Sequence, residues 1–173
     1  GGAGYIIAGY EGITYAADHG AKVINCSWGG SGGGSYGQTI CDYASLNKNA
    51  IVVAAAGNDG IDGVIYPAGF NYVMNVAATS SSNNWLTKAS FSNYNFNVDI
   101  SSPGNAIYNT VYNNNYTSMS GTSMASPVCA GAVALVLAKF PTYTGLQAGQ
   151  RIIVTSDAIN AARQQAGGDR VQI

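Results

Sequence analysis

Ile51-Val52-Val53-Ala54-Ala55-Ala56-Gly57-Asn58 is the stretch on which the fold class turns. Its unbroken apolar run, ended by the turn cluster Gly57-Asn58-Asp59-Gly60, predicts a short strand covered on both faces, because a half-exposed strand would alternate apolar and polar residues. Such a strand belongs in a parallel sheet flanked by helices. The neighbouring sequence agrees. Upstream, Ile6, Tyr10, Ile13 and Ala17 recur at helical spacing and Gly20 follows as a stop, so a helix precedes a second short strand at Val23 to Ser27. A glycine-rich loop, Gly29 to Gly34, and a weaker helix, Tyr36 to Lys48, lead back to Ile51. Downstream, Tyr72 to Ala78 and Val98 to Ser101 read as strands, and Asn109 to Ser120 as a hairpin-like excursion. Ser123 to Lys139 reads as a helix buried nearly all round, capped by Thr122, with Pro127 forcing an irregular start near Ser123; Gln147 to Ser156 is a last helix before a polar tail. The expectation is one three-layer α/β domain over residues 1–173.

Composition narrows the function. Of 173 residues 9% are charged, against about 25% in ordinary globular chains, and the formal net charge is −1. Scattered charges of both signs give no footprint for nucleic acid or an anionic membrane surface. No uninterrupted apolar run approaches the roughly 20 residues of a membrane span. The chain opens on Gly1-Gly2-Ala3-Gly4, without Met and without the basic head of a secretory leader, so a processed or excised piece is expected. Three cysteines (Cys26, Cys41 and Cys129) in apolar surroundings, without C-x-x-C spacing, predict buried free thiols rather than a disulfide framework or a metal knuckle. The one histidine, His19, falls at a helix end, where a cation complements the helix dipole.

Three segments carry candidate chemistry. Ser120-Gly121-Thr122-Ser123-Met124-Ala125-Ser126-Pro127 opens the long helix, and places Ser123 where backbone N–H groups and the positive dipole end converge. Asn58 closes the turn after the most apolar strand, at the carboxyl end where parallel sheets bind ligands, and its amide can donate to a developing oxyanion. Ser27-Trp28-Gly29-Gly30 leaves the carboxyl end of the preceding strand. Each also has a plain structural reading, as a cap, a turn residue or a loop.

In this order, together with Tyr66-Pro67-Ala68, Ala89-Ser90-Phe91-Ser92-Asn93 and Ser102-Pro103-Gly104, these segments resemble the subtilisin-like serine proteases. The resemblance implies a subtilisin-like α/β fold with a mainly parallel sheet. It implies that Ser123 is the nucleophile, and that Asn58 and the Ser123 N–H form the oxyanion hole. Ser27, Trp28, Gly29 and Gly30 would bind a polypeptide substrate as an added strand and wall the S1 pocket, with Ile65 at its floor and Tyr66-Pro67 as a cis peptide. It also implies an extracellular enzyme that requires no cofactor. Structural calcium is common in the family; the loop after Tyr66-Pro67-Ala68 offers carbonyl oxygens but no acidic cluster, and no metal site is assigned. The family's chain order is Asp, His, Ser. His19 matches no family histidine, so the Asp and His motifs and their strands are expected on an upstream fragment. The present chain would then be the C-terminal two-thirds of the catalytic domain, inactive alone. An uncovered strand edge at Val23 to Ser27 would favour self-association or pairing with that fragment.

Two alternatives remain at this level. One is a protease-like scaffold without catalysis. The other is a nucleotide-binding domain, from the match of Gly32 to Gly37 with G-x-G-x-x-G, though four residues separate Ser27 from Gly32 where the fingerprint needs a tight turn.

Overall fold

The computed structural model describes residue 6 and residues 8–157. The predicted polar tail, Asp157 apart, lies outside the described residues, as does the Gly1–Gly4 opening. In chain order the elements are α1 (Gly9–Asp18), β1 (Val23–Cys26), α2 (Ser35–Asp42), β2 (Ile51–Ala55), β3 (Val73–Ser80), β4 (Thr87–Lys88), β5 (Ile100–Pro103), β6 (Ile107–Val111), β7 (Asn115–Met119), α3 (Thr122–Lys139) and α4 (Gly145–Thr155).

β1, β2 and β3 run parallel, with Cys26 opposite Ala54 and Ala55 opposite Val76. Val76 also pairs with Ile100, so β5 takes the other edge of β3, again parallel. Thr79 pairs with both Pro103 and Lys88, which places the short antiparallel β4 on the β2 side, beyond the end of β2. All five residues of β2 are buried. Val52 and Ala54 face a cluster with Ile13 and Ala17 of α1 and Ile40 and Cys41 of α2. Ile51 and Val53 face Ala125, Cys129 and Val133 of α3 and Ala148 of α4. This is why the strand sequence shows no polar alternation: helices cover both faces, giving the expected three layers.

Most departures from the sequence reading are local. Tyr72 adopts φ +61°, so β3 starts one residue later than expected. The Val98 and Asp99 amides bond to Asn95 and Asn75 carbonyls, and β5 starts at Ile100 and runs to Pro103. α2 changes at Tyr43 into a π-helical turn, Tyr43–Asn47. β6 and β7 form the expected hairpin. Thr144 and Gln147 form a reciprocal capping box at the start of α4, two residues before the predicted boundary. Tyr66-Pro67 is cis, as expected. All three cysteines are buried free thiols.

α3 departs further. It was expected to be buried nearly all round, yet Pro127, Val128, Gly131, Ala134, Leu135 and Ala138 are exposed. Leu135 is 74% exposed and Val133 fully buried. By length and composition alone α3 resembles a membrane span. It instead packs one stripe onto β1, β2, β3 and β5 and a flank onto α4. Its apolar residues are distributed so evenly that the sequence holds no amphipathic signal of which face is covered.

Candidate active site

β1 and β2 both end at the same edge of the sheet, where α3 begins. Parallel strands bring their carboxyl ends together, and the helix returning over them points its N-terminus at that edge. His19 is at the other end: it follows α1 just before β1 begins. There it holds the Tyr15 carbonyl at 2.8 Å through Nδ1 and stacks on the Tyr15 ring.

Two sets of hydrogen bonds join the strand ends to α3. In the first, the Thr122 N–H donates to Asn58 Oδ1 at 2.8 Å, and the Thr122 hydroxyl donates to the same oxygen at 3.0 Å. The Gly57 N–H donates in turn to Thr122 Oγ1 at 3.2 Å. Asn58 is exposed while Thr122 is fully buried. With the amide oxygen held on Thr122, Nδ2 is left without a hydrogen-bond partner among the described residues, 3.6 Å from the place a Cβ on Gly121 would take. This corrects the expected role of Thr122: it is the first residue of α3, Gly121 occupies the N-cap without a side-chain cap bond, and the Thr122 hydroxyl serves Asn58 and Gly57.

The second set explains how the helix tolerates Pro127. Proline has no N–H for the carbonyl of Ser123, four residues back. The Ser27 hydroxyl supplies the missing donor, at 2.8 Å. Ser123 Oγ donates to the Ser27 carbonyl at 3.1 Å, so the two serines are reciprocally bonded. Asn25 Nδ2 donates to Ser27 Oγ at 2.9 Å, and Ser126 Oγ donates to Asn25 Oδ1 at 2.7 Å. The helix thus starts at Thr122, one residue ahead of expectation, without an irregular turn. The Ser123 N–H lies in the first turn, where amides have no intrahelical carbonyl to bond.

A groove of about 760 Å³ runs past these groups, lined by Trp28, Gly29, Gly30, Asn58, Ile65 and Ser123 among others. Six of the seven sequence-predicted site residues therefore line one groove, and Ser27 lies behind it, against Ser123. Ile65 Cδ1 sits 2.5 Å from the place a Cβ on Gly29 would take and 3.4 Å from the corresponding point on Gly57, so the isoleucine fills the slot between those backbones. Gly30 exchanges both backbone bonds with Tyr66, at 3.0 and 2.9 Å, which ties the groove wall to the cis-proline loop. Tyr10, Asp59 and Thr122 also line the groove and were not singled out for it from sequence. Tyr10 meets Trp28 edge-on at 5.4 Å, a contact that only the tertiary fold brings together.

Other chemistries find little support among the described residues. Burial pushes the thiols of Cys26 and Cys41 up to about 12 and that of Cys129 to about 11, so thiolate is scarce at neutral pH. Gly37, the last glycine of the G-x-G-x-x-G match, makes room for the Phe70 ring, and Gly33, at the first x position of the match, makes room for the Tyr66 ring. No three acidic, cysteine or histidine side chains converge as a metal cage, and the carbonyls of Ile65, Tyr66 and Pro67 already accept backbone amides.

A three-layer α/β domain with a serine and an asparagine amide converging at the carboxyl edge of a parallel sheet defines the class. Residues 1–172 match the model of the subtilase family. Thermitase of Thermoactinomyces vulgaris is 43% identical over 92% of the chain and 55% of its own length. Subtilisin DY of Bacillus licheniformis is 40% identical over 90% of the chain and 57% of its own length. The solved structure of the S41 psychrophilic protease superposes with a TM-score of 0.80 at 32% identity, covering 89% of this chain and 56% of that one. The chain belongs to the subtilase family and has the subtilisin-like fold. It spans about half the length of the curated relatives it matches.

Replacing Ser27 by Ala should leave the Ser123 carbonyl without a donor. The expected cost is about 1–3 kcal/mol, read as a lower urea midpoint with an unchanged slope. An unchanged midpoint would show that the Ser27 bond does not support the helix start.

Proposed function

We propose that this chain carries the nucleophile, the oxyanion hole and the S1 walls of an extracellular serine endopeptidase. The observation that carries this reading is the orientation of the Asn58 amide, whose oxygen is held by Thr122 one residue before Ser123. In the reaction, Ser123 Oγ attacks the peptide carbonyl carbon and its proton passes to a base. The carbonyl oxygen becomes an oxyanion held by Asn58 Nδ2 and the Ser123 N–H. The tetrahedral intermediate then collapses, the amine leaves with the base's proton, and water later hydrolyses the acyl-enzyme.

The base must come from elsewhere. The chain's one imidazole, His19, is engaged at the far end of β1. We place the triad Asp and His on an upstream segment that completes the domain, with residues 1–173 as its C-terminal two-thirds. In its favour, the outer edge of β1 has no partner strand among the described residues, and the apolar side chains Val128 and Leu135 of α3 are exposed. The same surfaces would drive self-association in the absence of that segment. A protease-like scaffold without catalysis is the competing reading, favoured by the absence of a second imidazole.

A chromogenic peptide assay separates the two. The chain alone should hydrolyse at a rate lower by about 10⁶ in turnover, as for a triad without its base, and should gain activity when the base-bearing fragment is added. Full activity from the chain alone would refute the missing base, and no activity from the mixture would favour the scaffold.

The substrate is a polypeptide lying along Ser27-Trp28-Gly29, with its P1 side chain entering the slot that Ile65 shortens. Medium apolar P1 groups should be preferred to Phe or Tyr. Ile65→Gly should raise kcat/KM for P1 Phe relative to P1 Leu by about tenfold or more, given the roughly 1–3 kcal/mol attached to each methylene of pocket fit. A variant with the parental preference would remove Ile65 from the S1 floor.

A further inference from the structure

Asn93 stands apart from the groove, yet its side-chain oxygen and its backbone N–H both bond to the turn that presents Asn58. Its residue is fully buried. Its side-chain oxygen accepts the Asp59 N–H at 2.9 Å and, more weakly, the Ile61 N–H at 3.5 Å. Its backbone N–H donates to the Gly57 carbonyl at 3.0 Å. On either side, the Gly60 N–H donates to the Phe91 carbonyl at 2.8 Å and the Tyr94 N–H to the Ile61 carbonyl at 3.0 Å. The segment from Phe91 to Tyr94 therefore grips every residue of the turn from Gly57 to Ile61 except Asn58. Asn58 itself is bonded through its side chain to Thr122.

The amide nitrogen of Asn93 has no partner among the described residues. It lies where a Cβ on Gly57 would fall, and Gly57 has φ +107°. A buried donor left unmade is a standing cost. An apolar side chain of similar size would avoid that cost, but would leave the Asp59 N–H without its acceptor. The arrangement makes sense if the position of the turn matters more than the local cost.

We infer that Asn93 is a positioning residue for the oxyanion hole: it fixes the backbone of the Gly57–Ile61 turn so that the Asn58 amide, clamped at its oxygen by Thr122, presents Nδ2 to the reacting carbonyl. This rests on the reading of Asn58 as the oxyanion donor. Two separate clamps act on one amide, Thr122 on the side chain and Asn93 on the backbone beneath it. Loosening the backbone clamp displaces the donor without touching substrate, so turnover should suffer and substrate affinity should not.

The test is a double-mutant cycle in the protein assembled with its base-bearing segment. Asn93→Leu should lower kcat by about 10–100-fold, the scale of an ångström-level misplacement, with KM within about twofold. In the Asn58→Ala background the same substitution should have almost no further effect on kcat, because the donor it positions is already gone. Should Asn93→Leu fail to fold, Asn93→Ala, which only deletes the side chain, reads the same cycle. Losses that multiply independently while Asn58→Ala alone costs about 10²–10³ would overturn the positioning role and leave the oxyanion reading intact. Normal turnover in Asn58→Ala would overturn both.

Discussion

Thr122 joins parts of the chain that the sequence holds 64 residues apart. Its N–H and hydroxyl hold the Asn58 side-chain oxygen, and its hydroxyl oxygen takes the Gly57 amide. These bonds fasten the carboxyl end of β2 to the start of α3, and they select one of the two ways the Asn58 amide could point. Oxygen toward a donor pair leaves nitrogen toward the groove; the reverse would set the amide N–H₂ against the Thr122 N–H. The fold makes this contact available because parallel strands deliver their carboxyl ends to one edge and the covering helix begins there. The glycine at position 57, with φ +107°, lets the chain turn sharply enough to reach it.

The bonds between Ser27 and Ser123 form a second clasp on the neighbouring strand. Here the constraint begins with a defect: Pro127 removes an amide from the first turns of α3 and frees the Ser123 carbonyl. Ser27 meets that carbonyl and at the same time offers its own carbonyl to Ser123 Oγ. Both clasps fix the first two residues of α3 against strand ends, so the serine and the asparagine amide are held by the same helix turn. The groove alongside owes its shape to backbone more than to side chains, with Gly29 and Gly57 lining it and the Ile65 δ-methyl between them.

How far the sequence foretold this varies with the physics. β2 was legible because burial on both faces leaves a strand with nothing but apolar residues. Ser123 and Asn58 stood out because their motifs place reactive groups at helix and strand ends. The structure brings both to one groove, and their chemical roles rest on the proposed mechanism. Thr122 was misread as a cap, since Thr before an apolar helix has that local use and its partner is far away in sequence. Asn93 lay in a quoted segment but had no role there, because its acceptor function depends on a turn more than 30 residues earlier. The exposed face of α3 was invisible for a different reason: a helix apolar on all sides carries no periodic signal of what covers it. Strand limits at Tyr72 and Ile100 shifted where a positive φ and side-pairing amides, respectively, decide the boundary.

The central claim is the direction of the Asn58 amide, and a crystal structure of a peptidyl boronate bound to the assembled protein tests it most directly. The account predicts a boron–Oγ bond at Ser123 and one boronate oxygen about 2.7–3.1 Å from both Asn58 Nδ2 and the Ser123 backbone nitrogen, with Asn58 Oδ1 still on Thr122. A boronate oxygen pointing to solvent, or an Asn58 amide turned with its nitrogen on Thr122, would contradict it.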